Sequence, residues 1–326
     1  MKNLIGNTPI IQIKYKYNNQ KYDIYVKLEQ YNLTGSIKDR IAWYILQKAK
    51  ENGILKERMP IIEATSGNTG ISFSALGAKL SHPVYIFMPD WVSKERIELM
   101  KLYGANVILV SKEEGGFKEC IRRADCLAKE INGYRPDQFN NILNTECHYN
   151  HTGMEILNDL KGIQIGGFIS GIGSGGTIMG IGKRLKEHYP DLLITAVEPN
   201  KMALLTNKEV IGNHKIEGIG DEFIPDLIEL NNIDIVFDID DEDAINMSRI
   251  LSKALGIGVG LSSGANMIGS VLLQNQINKP VVTIFPDDNK KYLTTDLVEP
   301  INDDPNFISN QIELIEYSLI IPKNMI

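Results

Sequence analysis

Cysteine and histidine are scarce in this chain, three and five among 326 residues. Cys120, Cys126 and Cys147 are odd in number and form no CxxC pair. That speaks against a disulfide-stapled framework and fits a reduced compartment, the cytoplasm. His148 and His151 form a close pair, but with no HExxH pattern and no partnering cysteine they read as loop polarity, and no metal is expected. No stretch approaches eighteen uninterrupted apolar residues, and MKNLIGNTPI at the N-terminus lacks the apolar segment of a signal peptide. Neither a membrane contact nor export is expected. Basic clusters are also missing. The 34 Lys and Arg are scattered and the net charge is −7, so nucleic acid is not an expected partner. Internal repeats and low-complexity segments are absent as well.

What remains is an ordinary globular composition, 43% hydrophobic and 23% charged, at a length that suits one large or two medium domains. Short β-rich runs fall at 23–29, 61–64, 84–88, 106–110, 166–170, 192–198, 233–239 and 280–285. Helical patterns alternate with them at 36–52, 69–80, 93–103, 116–131, 148–160, 176–188, 241–254 and 264–275. Helices between short apolar strands imply βαβ crossovers and largely parallel sheets, hence an α/β fold. The polar, strand-poor stretch 132–153 is the best candidate for a crossing between domains. The tail after Pro300 has no evident role.

In open α/β sheets ligands sit beyond the carboxyl ends of strands, so the strand-to-helix loops are where chemistry is sought. Lys38 lies in LTGSIKDR, where Ser36 and Asp39 read as a capping pair for the helix behind them. A lysine in a first turn faces the positive end of the helix dipole and gains nothing there. By itself it reads as a solvated surface residue. ATSGNTG (64–70) is built of residues that present hydroxyls, amides or bare backbone, which suits a carboxylate. The plain alternative is a tight loop with Thr65 or Asn68 as cap. GIGSGGT (171–177) sets four glycines and a Ser–Thr pair before a helix, a cradle for a phosphate dianion. The same loop matches G-x-G-x-x-G through Gly171, Gly173 and Gly176, with Glu198 placed as a ribose partner, so a dinucleotide-dependent oxidoreductase competes. GLSSG (260–264) matches a nucleophile elbow with Ser262, but no histidine follows it in the chain, so a triad in that order is excluded.

Lys38, a carboxylate loop and a single-phosphate loop together suggest a cofactor with an aldehyde and a phosphate, pyridoxal phosphate. From IGNTPI through GSIKDR, EATSGNTG, MPDWVSKERIELMKLYGA, GIGSGGT, VEP, EGIGDEFIP and GLSSGAN to PDDNKKYLTTDL, the chain resembles the cysteine synthase and cystathionine β-synthase family of fold-type II pyridoxal enzymes. The resemblance implies two three-layer α/β/α domains with mostly parallel sheets and the cofactor in the cleft between them. The smaller, mobile domain would span 36–145 and the larger 1–35 plus 146–326. It further implies Lys38 as the Schiff-base lysine, and Thr65, Ser66, Gly67, Asn68 and Thr69 with Gln138 as the substrate-carboxylate site. Asn68 would also reach the cofactor ring oxygen. Gly173, Ser174, Gly175, Gly176 and Thr177 would hold the phosphate, and Ser262 would face the pyridine nitrogen.

The implied reaction is β-replacement or β-elimination on a three-carbon amino acid such as cysteine, O-acetylserine or serine, through an α-aminoacrylate. A sulfide or thiol partner substrate and a homodimer are implied too. The extensions that carry haem or a regulatory domain in larger members are missing, so no haem is expected. Asp221 and Glu222 stand where many O-acetylserine sulfhydrylases have small residues and cystathionine β-synthases acidic ones. As catalytic groups they would favour water or an amino-acid thiol as nucleophile, with release of hydrogen sulfide from cysteine. A strict O-acetylserine sulfhydrylase, or a non-catalytic paralogue, are the other readings.

Overall fold

The computed structural model describes residues 2–206, 210 and 212–321. Its N-terminal strands β1 (Ile10–Tyr17) and β2 (Gln20–Leu28) form a hairpin, and α1 (Lys38–Glu51) follows. A compact βα run comes next: β3 (Ile61–Ala64), α2 (Asn68–Leu80), β4 (Val84–Pro89), α3 (Lys94–Leu102), β5 (Asn106–Val110) and α4 (Gly116–Glu130). Then come α5 (Ile142–Cys147), a π-helical turn (His148–Thr152), α6 (Gly153–Asp159), β6 (Gly167–Gly171), α7 (Gly176–His188) and β7 (Leu193–Pro199). The chain closes with β8 (Ile235–Ile239), α8 (Asp241–Leu255), α9 (Leu261–Ile277), β9 (Val281–Phe285) and β10 (Glu313–Ile320).

These strands build two sheets, one in the order β10-β1-β2-β9-β6-β7-β8 and one in the order β3-β4-β5. The small sheet is parallel throughout, and the large one is parallel from β2 to β8. Parallel strands need both faces covered, and the apolar residues divide accordingly. In the small sheet Ile61, Ile86 and Met88 pack on α1, α2 and α3, while Ile62, Phe87 and Val110 pack on Phe117, Cys120 and Ala124 of α4. In the large sheet Ile169, Val197 and Phe285 face α8 and α9, whereas Phe168, Ile194 and Ile284 face α6 and α7. The fold is α/β, with two three-layer units.

Neither β1 nor β10 is among the expected strands, although β1 alternates strictly, with Ile11, Ile13, Tyr15 and Tyr17 buried between Gln12, Lys14 and Lys16. Asn18 and Asn19 take left-handed backbone (φ 50° and 61°) and close a two-residue hairpin that pairs Tyr17 with Gln20. The other neighbour of β1 is β10, from the tail whose role the sequence does not declare. Lys14 and Lys16 make exposed ion pairs with Glu316 and Glu313, at 2.8 and 2.7 Å. The polar stretch 132–153 does cross between the sheets. Ile62 N donates to Tyr134 O beside β3, and ten residues later α5 packs against α7. Expected as one helix over 148–160, that region is instead the π turn followed by α6, with α5 running into it from before.

The start of α1 is fixed to the large sheet by a buried charge cluster. Arg40 donates to both Glu29 oxygens (2.6 and 2.8 Å) and both Glu155 oxygens (2.7 Å each). Lys27 adds contacts to Glu155 at 3.0 Å and Asp159 at 3.2 Å. Removing one partner of a buried cluster strands a charge, which typically costs ~3–5 kcal/mol, whereas an exposed pair is worth ~1 kcal/mol or less. Glu29→Ala is therefore expected to lower the unfolding free energy in urea by ~3–5 kcal/mol, and Glu316→Ala by under ~1 kcal/mol. Similar losses for the two variants would show that the cluster does not anchor α1.

Candidate active site

A cleft between the two sheets collects residues from the loops after β3 and β6 and from the starts of α1 and α9. Lys38 opens α1, and its side chain enters this cleft. The expected Ser36–Asp39 capping pair does not form. The cap position is Ile37 and carries no side-chain hydrogen bond. Asp39 instead accepts from Thr34 N (2.7 Å), Thr34 Oγ1 (2.6 Å) and Ser72 Oγ (2.7 Å), tying α1 to α2. Ile37 N donates to Pro286 O at 2.9 Å, and Lys291 Nζ donates to Gly35 O at 2.8 Å, so the entry to α1 docks on segment 286–291.

Lys38 Nζ makes no hydrogen bond or ion pair among the described residues. Burial pushes its amine down to about 8, while the nearby Asp221 and Asp287 carboxylates pull the other way. Burial also drives the Asp221 carboxyl up to about 6, against the pull of Lys38 and with help from Glu222. The two groups therefore exchange charge within reach of neutral pH, a poise that suits proton transfer. Burial sends the thiols of Cys120 and Cys147 up to about 12, which leaves both unreactive.

The loop after β3 is held from several sides. Gly67 N donates to Thr65 Oγ1 at 3.0 Å, Thr69 Oγ1 to Gln138 Oε1 at 2.7 Å, and Asn68 Nδ2 to Asp287 Oδ2 at 2.8 Å. Gln138 Nε2 is committed to Ala64 O at 3.1 Å. Thr65, Ser66, Asn68, Thr69 and Gln138 line the cleft, and Gly67 lies behind them, where a Cβ would strike the Arg96 side chain at 2.5 Å.

Opposite stands the loop after β6, where Gly173, Ser174, Gly175 and Thr177 line the cleft at the N-terminus of α7. Gly175 has φ 86°, and a Cβ there would collide with Ile228; a Cβ on Gly173 would meet Gly218 O at 2.6 Å. Gly176 packs on Asn144, whose Nδ2 donates to Ser174 Oγ at 2.9 Å and leaves that hydroxyl hydrogen free. Thr177 Oγ1 is 3.3 Å from His148 Nε2, and His148 Nδ1 is 3.0 Å from Thr152 Oγ1. His148 is fully buried and held neutral by that burial and by the Lys38 and Arg40 charges. It is not loop polarity, as its sequence context suggested, but a support for Thr177. A loop of bare N–H groups, two hydroxyls and a helix dipole is chemically matched to one phosphate.

Ser262 lies in the first turn of α9, on the cleft wall. Glu198 does not serve a ribose. Its oxygens accept from Leu205 N (2.8 Å), Thr206 N (3.0 Å) and Thr206 Oγ1 (2.8 Å), closing the turn after β7. Glu222 is exposed and borders a wider chamber outside the cleft, together with Trp91, Phe117 and Lys215. Asp221 belongs to both spaces. Sequence reading missed Arg96, Glu217, Asp287 and Tyr292. Arg96 is 1% exposed; it donates to Ser66 O (3.1 Å) and Tyr292 OH (2.7 Å) and pairs with Glu217 at 2.6 Å. Their motifs were visible, but nothing local in them signals burial. Among the described residues no His, Cys, Asp and Glu group could hold a metal, and no helix is long and apolar enough to cross a membrane.

Residues 1–287 match the family model described as pyridoxal-phosphate dependent enzyme. A cysteine synthase of Staphylococcus aureus is 38% identical over 296 residues, 90% of this chain and 95% of that protein. The crystal structure of a hydrogen sulfide-producing enzyme from Fusobacterium nucleatum superposes with a TM-score of 0.93 at 50% identity, covering 97% of this chain and 96% of that one. A cysteine synthase from Entamoeba histolytica superposes at 0.86 with 36% identity over 95% of this chain and 93% of its own. With a cleft that offers an amine, a carboxylate loop and a phosphate loop, the chain belongs to the cysteine synthase and cystathionine β-synthase family of fold-type II pyridoxal-phosphate-dependent enzymes, which carry out β-replacement.

Proposed function

We propose that this enzyme releases hydrogen sulfide from L-cysteine, with water or an amino-acid thiol adding at the β-carbon in its place. The observation that carries the reading is Asp221, a carboxyl raised to about 6 in the cleft beside Lys38. Hydrosulfide needs no base to add, and a carboxylate repels it; water or a thiol gains from a group that takes its proton. The hydrogen sulfide-producing Fusobacterium enzyme, 50% identical, is consistent with this assignment.

The bound cofactor supplies an electron sink that acidifies the Cα–H and lets the β-substituent leave. The residues around it divide the remaining work. Lys38 Nζ would hold the cofactor and would be placed to take the Cα proton of a bound substrate. Thr65, Ser66, Asn68 and Thr69, with Gln138, bind the substrate carboxylate; Gly67 lets the loop pass close to Arg96. Gly173 to Thr177 anchor the phosphate. The neutral Ser262 hydroxyl faces the pyridine nitrogen and moderates the sink, which favours elimination over transamination. Residues 36–145 carry the carboxylate site and the rest of the chain the phosphate site, so substrate binding draws the two units together. Asp221 accepts the proton of the second nucleophile, and the exposed Glu222 acts on it through charge.

Lys38→Ala is expected to lose the visible absorption band of the lysine-bound cofactor and to cut turnover by at least ~10³-fold. Undiminished turnover would remove Lys38 from its role. Gly175→Val should force the backbone out of the phosphate cradle. With each charge-assisted N–H bond worth ~1.5–3 kcal/mol, cofactor affinity should fall ~10–100-fold in equilibrium titration.

Asp221 is ionised above its raised pKa, so sulfide release from cysteine should climb with pH to a plateau just above about 6. Asp221→Asn should flatten that limb and slow release ~100-fold. Addition of sulfide to O-acetylserine should change far less, and Glu222→Gln should only shift the limb to lower pH. Equal losses in both reactions would reject a role for Asp221 in choosing the nucleophile and favour a plain O-acetylserine sulfhydrylase.

A further inference from the structure

One buried carboxylate, next to Pro286 of the cleft wall, has no part in the reaction as described so far. Asp287 is 0% exposed and follows β9. Its Oδ2 accepts two hydrogen bonds, from Asn68 Nδ2 and Tyr292 OH, both at 2.8 Å. Its Oδ1 has no partner and lies against Gly260, where any Cβ would collide with it. A buried carboxylate with one bare oxygen is expensive, and such a group persists where a specific arrangement requires it.

Two features of the surroundings say what that arrangement is. First, a carboxylate only accepts, so Asn68 must turn its amide nitrogen toward Asp287. The Asn68 carbonyl Oδ1 is thereby forced the other way, and it is buried without a partner. Second, Asp287 acts electrostatically on the cations of three elements, none of which it touches. These are Lys38 at the start of α1, Arg96 on α3, and Lys291 on its own segment. Arg96 already has Glu217 as a counter-ion at 2.6 Å, and Lys291 donates to Gly35 O at 2.8 Å. Lys38 has no such commitment. The other groups facing it are the Asp221 carboxyl across the cleft and the neutral His148 below. Asp287 is moreover rigidly tied to the entry of α1. Ser36 bridges to it, and Ile37 N bonds the neighbouring Pro286 carbonyl.

We propose that Asp287 is a positioning residue for the reaction: its Oδ2 sets which way the Asn68 amide faces, and its fixed charge keeps the Lys38 nitrogen protonated in the resting enzyme. The first effect presents the Asn68 side chain to the cofactor in a single orientation. The second favours attack by the substrate amine, which adds more readily where the nitrogen being displaced carries a proton. Asp287 touches neither substrate nor cofactor in this role and acts through Asn68 and Lys38. The inference rests on the cofactor being bound at Lys38, and is independent of which nucleophile is used.

The test is a pH titration of the visible band of the holoenzyme in Asp287→Asn, a variant of equal shape without the charge. Loss of this opposing charge, which acts on Lys38 through space rather than by contact, should move the midpoint for deprotonation down. The kcat for cysteine should fall ~10-fold at neutral pH, while its KM changes less than ~3-fold. Presence of the band reports on the cofactor reading, and its midpoint reports on Asp287, so the two can fail separately. An unmoved midpoint with unchanged kcat overturns the proposal, as does weaker cofactor binding with the midpoint in place, which would mark Asp287 as structural only.

Should Asp287→Asn fail to fold, a polarity exchange decides. Asn68→Asp alone sets two carboxylates against each other and should lose cofactor at least ~10-fold more readily than the unmodified protein. Combining Asn68→Asp with Asp287→Asn restores one donor and one acceptor, and should recover most of that loss. A double variant no better than Asn68→Asp overturns the assigned contact.

Discussion

A lysine in bulk water is almost wholly protonated at neutral pH, and the role proposed for Lys38 needs a neutral amine within reach, so much of this structure can be read as keeping Lys38 out of water. Burial lowers the amine to about 8, and Asp221 and Asp287 limit how far it falls. Such a balance holds only if none of the three groups moves. Hence the rigid setting of α1: Arg40 locks it to Glu29 and Glu155 on one side, Asp39 to Ser72 on another, and Ile37 to Pro286 on a third. The lysine that opens the helix gains nothing from the helix dipole. That unfavourable placement becomes useful because it adds to the effect of burial.

The two ligand loops meet the same demand by different means. The phosphate loop uses backbone, and so depends on the absence of side chains at Gly173 and Gly175 and on hydroxyls aimed by neighbours. Asn144 and His148 both come from the segment that crosses between the sheets, and they brace Ser174 and Thr177. The carboxylate loop uses side chains, and its braces come from further away: Gln138 from the same crossing segment, Arg96 from α3, Asp287 from beyond β9. Arg96 reaches both Ser66 and Glu217, so the loop proposed to grip the first substrate is linked to the loop that carries Asp221.

What was legible in the sequence was whatever is local. The βα alternation, the two small-residue loops and Lys38 all sit within short windows whose composition has a chemical reading. What was not legible depends on partners far along the chain. β1 pairs with β10 about 300 residues later, a partner that nothing local in β1 declares. Ser36 and Asp39 have the spacing of a capping pair, yet Asp39 has a stronger offer from Thr34 and Ser72, hydroxyls that also tie two helices together. His148 looked like loop polarity because burial is invisible in a polar stretch. Asp221 and Glu222 are adjacent letters with opposite fates, one in the cleft and one in solvent, since the local turn sends consecutive side chains to different sides.

The distribution of charge around the cleft gives the choice of nucleophile a physical basis beyond Asp221 alone. Two of the cations near the reacting centre are committed: Arg96 pairs with Glu217, and Lys291 donates to Gly35 O. In the outer chamber Lys215 is held between Glu242 and Asp296, both at 2.6 Å. An incoming anion meets Glu222 and Asp221 at the mouth before it reaches Lys38. On the proposed reading, a departing hydrosulfide would experience the same field in reverse. A potential that hinders fixation of sulfide would thus assist its release, without any change in the residues proposed to handle the cofactor. That asymmetry would let a cysteine synthase scaffold run toward sulfide production by altering the charge at its entrance while leaving Lys38, the carboxylate loop and the phosphate loop untouched.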